Sequence, residues 1–235
     1  MPRGLAVETS GRVGSIAIVE DGKVVAEDTF SHGLQHAAQI ICRIDALLKA
    51  RQWQPRDLQE LYLSIGPGSF TGLRIGVTLV KTLAFVTGAR MAAVPTLDVL
   101  ARNAPAEARN VIVVLDAKRE QIFTARYSRE ETTSPWVITE PPHLDRLNAM
   151  LSRSPRPVHL IGEGIPYHRQ FIGEDPQVIV TDAELWRARA AIVAELGSVL
   201  LREGMASDPQ KLVPFYIRKP EAEERWEQQQ SAGNR

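Results

Sequence analysis

SIGPGSFTGLRIG, residues 64–76, sets glycines on either side of a proline, follows them with two hydroxyls, and runs into a segment that is almost wholly apolar. Gly66 and Gly68 allow the backbone to turn sharply, Pro67 stiffens the turn, and Ser69 or Thr71 is placed to cap a helix that starts there. Helix N-terminal amides carry partial positive charge, so such a loop can seat an anion. It can equally be a tight strand-to-helix turn that opens a buried helix. The stretch matches neither the Walker A spacing nor GxGxxG. Both readings stay open at this point.

On either side the pattern is regular. Leu5 to Val7, Gly14 to Val19 and Lys23 to Thr29 read as three strands, the last two joined by Asp21-Gly22, a tight-hairpin dipeptide. His36 to Arg51 places Ala37, Ile40, Ile41, Ile44, Leu47 and Leu48 at helical spacing. A short strand at Leu61 to Ile65, a helix at Thr71 to Thr87, a strand at Met91 to Val94 and a helix capped by Thr96 complete the first half. The order then recurs. Strands at Val111 to Leu115, Ile122 to Tyr127 and Trp136 to Thr139 precede a helix at Leu144 to Leu151, strands at Val158 to Ile161 and Val178 to Val180, and a long helix at Leu185 to Glu203. Two βββαβα-like halves predict an internal duplication, each half a mixed sheet covered by helices. The expected division is residues 1–104, residues 105–220, and a polar tail at 221–235.

Composition narrows the function. The 235 residues can form one large domain or two lobes, with 44% hydrophobic and 24% charged side chains. Lys plus Arg and Asp plus Glu both number 28, which leaves no positive surplus for gripping a nucleic acid unaided. Cys42 is the single cysteine, so no disulfide framework or cysteine zinc site forms; within IICRI it reads as a small core side chain. No leader or membrane-spanning run is expected, and a cytoplasmic location follows from that reading.

LAVETS at 5–10, GSIAI at 14–18, GPGSFTGLRIG at 66–76, VPTLDVLA at 94–101, LDAKREQIFTARY at 115–127, IGEG at 161–164 and PFYIRKPEAEERW at 214–226 occur in one order. Together they resemble the TsaB (YeaZ) family, dimerisation subunits of the bacterial machinery for threonylcarbamoyladenosine in tRNA. The resemblance implies an α/β fold of actin/Hsp70/sugar-kinase type with two ribonuclease-H-like lobes. It also implies partners: a TsaD-like catalytic subunit, a TsaE-like ATPase, a second copy of the chain when alone, and tRNA only through the complex, with no membrane. The implied role is non-catalytic, with no cofactor and no metal.

The residues agree with that role in two places. TsaD-like proteins carry a His-x-x-x-His pair after their Gly-rich helix, whereas Thr87 to Arg109 here holds no histidine, and His32 and His36 precede the loop. Glu8-Thr9-Ser10-Gly11 keeps part of a phosphate-binding hairpin, but Asp116-Ala117-Lys118-Arg119-Glu120 puts bulky charged residues in the second. Gly66, Gly68, Ser69 and Thr71 are thus a vestigial anion loop, and no catalytic residue is assigned. Helix phase and resemblance place Ile40, Arg43, Leu47, Arg74 and Thr78 on or near a face for a partner. The alternatives are an ATP-binding phosphotransferase or ATPase of the same fold, and, with less support, a metallopeptidase.

Overall fold

The computed structural model describes residues 1–31 and 36–218, so His32, and the tail at 221–235, lie outside the described residues. The first sheet is built from β1 (Arg3–Glu8), β2 (Val13–Glu20), β3 (Lys23–Ser31), β4 (Glu60–Ser64) and β5 (Arg90–Val94), in the order β3-β2-β1-β4-β5. β2 runs antiparallel to β1 and β3, and β1, β4 and β5 are parallel. Asp21 and Gly22, with φ of 53° and 74°, make the hairpin turn.

The second sheet contains β6 (Asn110–Asp116), β7 (Ile122–Ser128), β8 (Val137–Asp145), β9 (Val158–Ile161) and β10 (Val178–Val180), ordered β10-β9-β6-β7-β8. β7 is antiparallel to its neighbours and β6, β9 and β10 are parallel. Element for element this repeats the first sheet, with β1 matched by β6. Each half is a mixed sheet of the same topology, the duplication that the order of elements in the sequence predicts.

Alternation along the strands decides what covers each face. Leu5, Val7, Ile16, Ile18, Leu61 and Leu63 point to the side where α1 (His36–Ala50) and α2 (Phe70–Thr87) lie, and pack with Ile40, Ile44, Leu48, Val77 and Val80. Ala6, Ala17 and Ala92 point to the other side. There α6 (Ala190–Arg202) comes so close that a Cβ on Gly197 would stand 2.5 Å from the Tyr62 ring. That same core continues through α3 (Thr96–Arg102) into Val111, Val113 and Tyr127 of the second sheet, so the lobes share apolar packing.

Several local expectations change. Thr96 is the first residue of α3 and not its cap, because its Oγ1 bonds Ser64 Oγ at 2.7 Å and accepts Gly66 N–H at 3.1 Å. Leu144 belongs to β8, and the helix after it, α4 (Leu147–Ser152), is shorter than predicted. A single-turn helix, α5 (Ile165–His168), follows β9, and the last helix, α6, begins at Ala190, after a 3-10 turn at Ala183–Trp186. Its first amides are met by Ser15 Oγ at 2.8 Å and Glu27 Oε1 at 3.0 Å, caps donated by the other lobe and invisible to local pattern. Cys42 is exposed, not a core side chain: it faces outward on α1 while Ile40, Ile44 and Leu48 face the sheet.

Candidate functional site

The Gly-rich loop sits where the lobes meet, and its geometry answers the question its sequence raises. Gly66 has φ +114°, and a Cβ there would stand 2.7 Å from Phe215 O. A Cβ on Gly68 would lie 2.4 Å from Ser10 O, and one on Gly72 only 2.0 Å from Thr9 O. Ser69 N–H donates to Ser10 O at 2.7 Å, Ser69 Oγ caps Gly72 N–H at 3.2 Å, and Thr9 Oγ1 donates to Gly72 O at 2.8 Å. The glycines therefore let α2 press onto the β1–β2 turn. Ser69 supplies the cap; Thr71 is exposed. The Ser69 and Gly72 amides are thereby bonded within the chain, and the loop packs as a close strand-to-helix turn.

A cleft of about 470 Å³ opens beside it between the lobes, lined by Arg12, Phe70, Asp116, Lys118, Glu163 and Trp186 among others. Duplication places an acid at the end of each first strand, Glu8 on β1 and Asp116 on β6. Both are engaged within the chain. Asp116 Oδ2 receives Lys118 Nζ at 2.7 Å and its Oδ1 meets His168 Nε2 at 3.2 Å. Burial pulls the Asp116 carboxyl upward, but Lys118 and His168 outweigh it and hold the group below the ordinary aspartate range. Glu163 Oε2 accepts Arg12 N–H at 3.0 Å. In the cleft, then, the Asp116 carboxylate is held by a lysine, and the amides of Gly66, Ser69 and Gly72 are engaged within the chain.

Glu8 is fully buried; its Oε1 accepts from Ser10 N–H and Oγ–H, and Oε2 has no partner. Burial raises its pKa above the ordinary glutamate value of 4.5, with Glu163 adding to the shift. A folded-state value above the unfolded one favours folding below the unfolded value and loses that contribution as pH rises toward the folded one. Glu8→Gln is therefore expected to gain in stability relative to the unmutated chain as pH is raised from the ordinary glutamate value of 4.5 through neutrality. Urea midpoints measured across that range test it, and parallel curves for the two chains would refute the assignment.

A second hollow, about 600 Å³, lies on the outer face of α1 and α2 and is lined by Ile40, Ile41, Phe70, Thr71, Arg74, Ile75, Thr78, Leu79 and Thr82. Arg74 and Thr78, expected on a partner face, do line it and are exposed. Ile40 forms only its floor, at 1% exposure, while Ile41 stands out at 60%. Leu47 packs against the first core, and Arg43 turns to Asp28 of β3 at 2.7 Å, so both sit on the far flank of α1. A smaller apolar hollow of about 310 Å³, between α1, α2 and the turn at Pro55–Asp57, shares Ile41 and Leu79 with the groove. At the end of α2, Phe85 and Val86 are 90% and 74% exposed. With 18 mostly apolar residues, α2 has the length and apolarity of a membrane span. Its N-terminal turn against Thr9 and its stripe Leu73, Val77, Val80 and Ala84 instead belong to the fold core.

Among the described residues, Glu140, His143 and Asp145 cluster closely enough to suggest a metal. Arg153 already bridges Glu140 and Asp145, so a guanidinium fills that role. His168, Tyr216 and Arg218 carry contacts no motif announced: His168 on Asp116, Tyr216 accepting from Arg74 Nε at 3.3 Å, and Arg218 donating to Ala117 O and Gln121 Oε1.

Comparison with known proteins agrees with this frame. A family model described as TsaD, tRNA N6-adenosine threonylcarbamoyltransferase, matches residues 23–226. The tRNA threonylcarbamoyladenosine biosynthesis protein TsaB of Bacillus subtilis is 32% identical over 94% of this chain and 96% of its own. The Escherichia coli protein of the same name is 26% identical over 92% and 94%. The fold of YeaZ from Pseudomonas aeruginosa superposes with a TM-score of 0.76 at 22% identity, covering 92% of this chain and 100% of that one. Aligned nearly end to end with relatives of that name, the chain belongs to the TsaB family of tRNA threonylcarbamoyladenosine biosynthesis proteins.

Proposed function

We propose that this chain is a non-catalytic docking subunit, which works in threonylcarbamoylation of tRNA by seating a TsaD-like catalytic subunit on its α1/α2 face. A TsaE-like ATPase then joins the pair, and tRNA is met through the assembly. The observation that carries the reading is the pair of adjoining hollows that share Ile41 and Leu79, with Phe85 exposed at the far end of α2, on helices whose inner faces are already satisfied by the first core. Exposed apolar side chains gathered on one face suit a protein partner. In the absence of its partner, the same face suits a second copy of the chain, because a two-fold pairing needs only one self-complementary patch.

The cleft supports the other half of the proposal. Its acid is paired with Lys118, its Gly-rich loop is pressed against the Thr9 and Ser10 carbonyls of the β1–β2 turn, and no histidine lies between Thr87 and Arg109. The zero net charge is consistent with RNA contact through partners. Calorimetric titration of the isolated chain with ATP and Mg²⁺, alongside a phosphate-release assay, is expected to show no turnover above background. Stoichiometric binding with sustained phosphate release would replace this reading with an ATPase of the same fold.

A further inference from the structure

We infer that Phe70, gripped by Arg74 and Tyr216, couples the α1/α2 groove to the hairpin 117–121 of the second lobe, so that filling the groove stiffens a hairpin it does not touch. The inference rests on the docking reading above.

Phe70 is the first residue of α2 and lines both hollows, the groove on one side and the interlobe cleft on the other. One turn later Arg74, itself part of the groove, lays its guanidinium 3.8 Å from the Phe70 ring centroid and donates to Tyr216 Oη at 3.3 Å. The Phe70 and Tyr216 rings are 5.4 Å apart. Tyr216 belongs to an extended strap, residues 213–218, that crosses the Gly-rich loop and is fixed there by Phe215 N–H on Ile65 O at 2.8 Å. Two residues on, Arg218 reaches the second lobe and donates to Ala117 O and Gln121 Oε1.

The far end of this chain of contacts is strained. Lys118, Arg119 and Glu120 have φ of 62°, 54° and 58°, three consecutive side-chain-bearing residues in the left-handed region. Such backbone persists only where its surroundings hold it. Here the restraints are Asp116, which binds Lys118 from within the lobe, and Arg218, which binds from the strap. The hairpin is thus an element with a held and a relaxed state, and Arg218 biases it toward the held one.

Arg74 is solvent-exposed in the free chain, so its bond to Tyr216 competes with water. A partner covering the groove removes that water and strengthens both the bond and the stacking on Phe70. The strap then moves less, and Arg218 holds the hairpin more constantly.

Amide hydrogen exchange on the full-length chain, alone and with the TsaD-like subunit, tests this. Ala117 N–H and Gln121 N–H close the hairpin at 2.9 and 3.0 Å, and are the amides to follow. On complex formation their exchange is expected to slow about fivefold, the equivalent of one net hydrogen bond. Tyr216→Phe, which keeps the ring but removes the acceptor, should still form the complex and show less than about a twofold change. Arg218→Ala should uncouple the hairpin in the same way. Unchanged exchange in the unmutated complex, or equal slowing in Tyr216→Phe, would overturn the inference. Failure of the unmutated chain to bind the subunit would overturn the docking reading, and this inference with it.

Discussion

Ile41→Glu combined with Ile75→Glu is expected to abolish complex formation with the TsaD-like subunit at micromolar concentrations while leaving the chain folded. Both side chains line the groove; Ile41 is 60% exposed in the free chain and Ile75 is half-buried beside it. A charge facing an apolar partner loses its hydration without gaining a counter-ion. Central interface positions typically cost about 2 kcal/mol or more when disrupted. Two of them together weaken association by roughly a thousandfold, given about 1.4 kcal/mol per factor of ten. Gel filtration of the mixture and a thermal melt of the variant alone separate lost docking from lost folding. Arg43→Ala makes the contrasting case: Arg43 is held by Asp28 of its own chain, so its removal should change affinity only a few-fold. Retained complex formation by the double glutamate variant would show that the groove is not the docking face.

Gly72→Ala is expected to cost about 4 kcal/mol or more, a large share of the roughly 5–15 kcal/mol by which an ordinary domain is stable. Helix propensity alone argues the other way, since alanine is better than glycine in a helix interior by about 1 kcal/mol. Sterics decide the sign. The added Cβ would stand 2.0 Å from the carbonyl oxygen of Thr9, a backbone atom one residue beyond the paired β1, and neither α2 nor β1 can retreat without opening the first core. Gly88→Ala provides the calibration: it has φ +70° but nothing within 4 Å, so only the left-handed strain of about 1 kcal/mol applies. Equilibrium urea unfolding of both variants checks the ordering. A Gly72→Ala chain as stable as Gly88→Ala would mean that α2 does not press on the β1–β2 turn as described.

These two results bear on what the sequence discloses. The duplicated element order was legible because strands and helices announce themselves through local periodicity, and the two sheets repeat it strand for strand. Family membership was legible from GPGSFTGLRIG and the motifs around it. What could not be read was anything set by partners distant in the chain. The start of α6 depends on Ser15 and Glu27, and the role of Thr96 depends on Ser64 and Gly66. On α1 the sequence reading names Ile40, Arg43 and Leu47, whereas the groove exposes Ile41, because an all-apolar run of IIC leaves helix phase undetermined until the sheet chooses a side. Burial of Cys42 failed for the same reason. Glycine type alone was ambiguous too: anion loops and close-packed turns both require it, and only the carbonyls of Thr9 and Ser10 distinguish them.

The central claim is that the outer face of α1 and α2, and not the interlobe cleft, carries the function. Mass spectrometry of tRNA nucleosides from a reconstitution with the TsaD-like and TsaE-like subunits tests it most directly. The groove variant Ile41→Glu/Ile75→Glu should yield no threonylcarbamoyladenosine, whereas the cleft variant Glu8→Gln/Glu163→Gln should support modification at close to the unmutated level. Full modification with the groove variant, or its loss with a folded cleft variant that still binds its partner, would contradict the account.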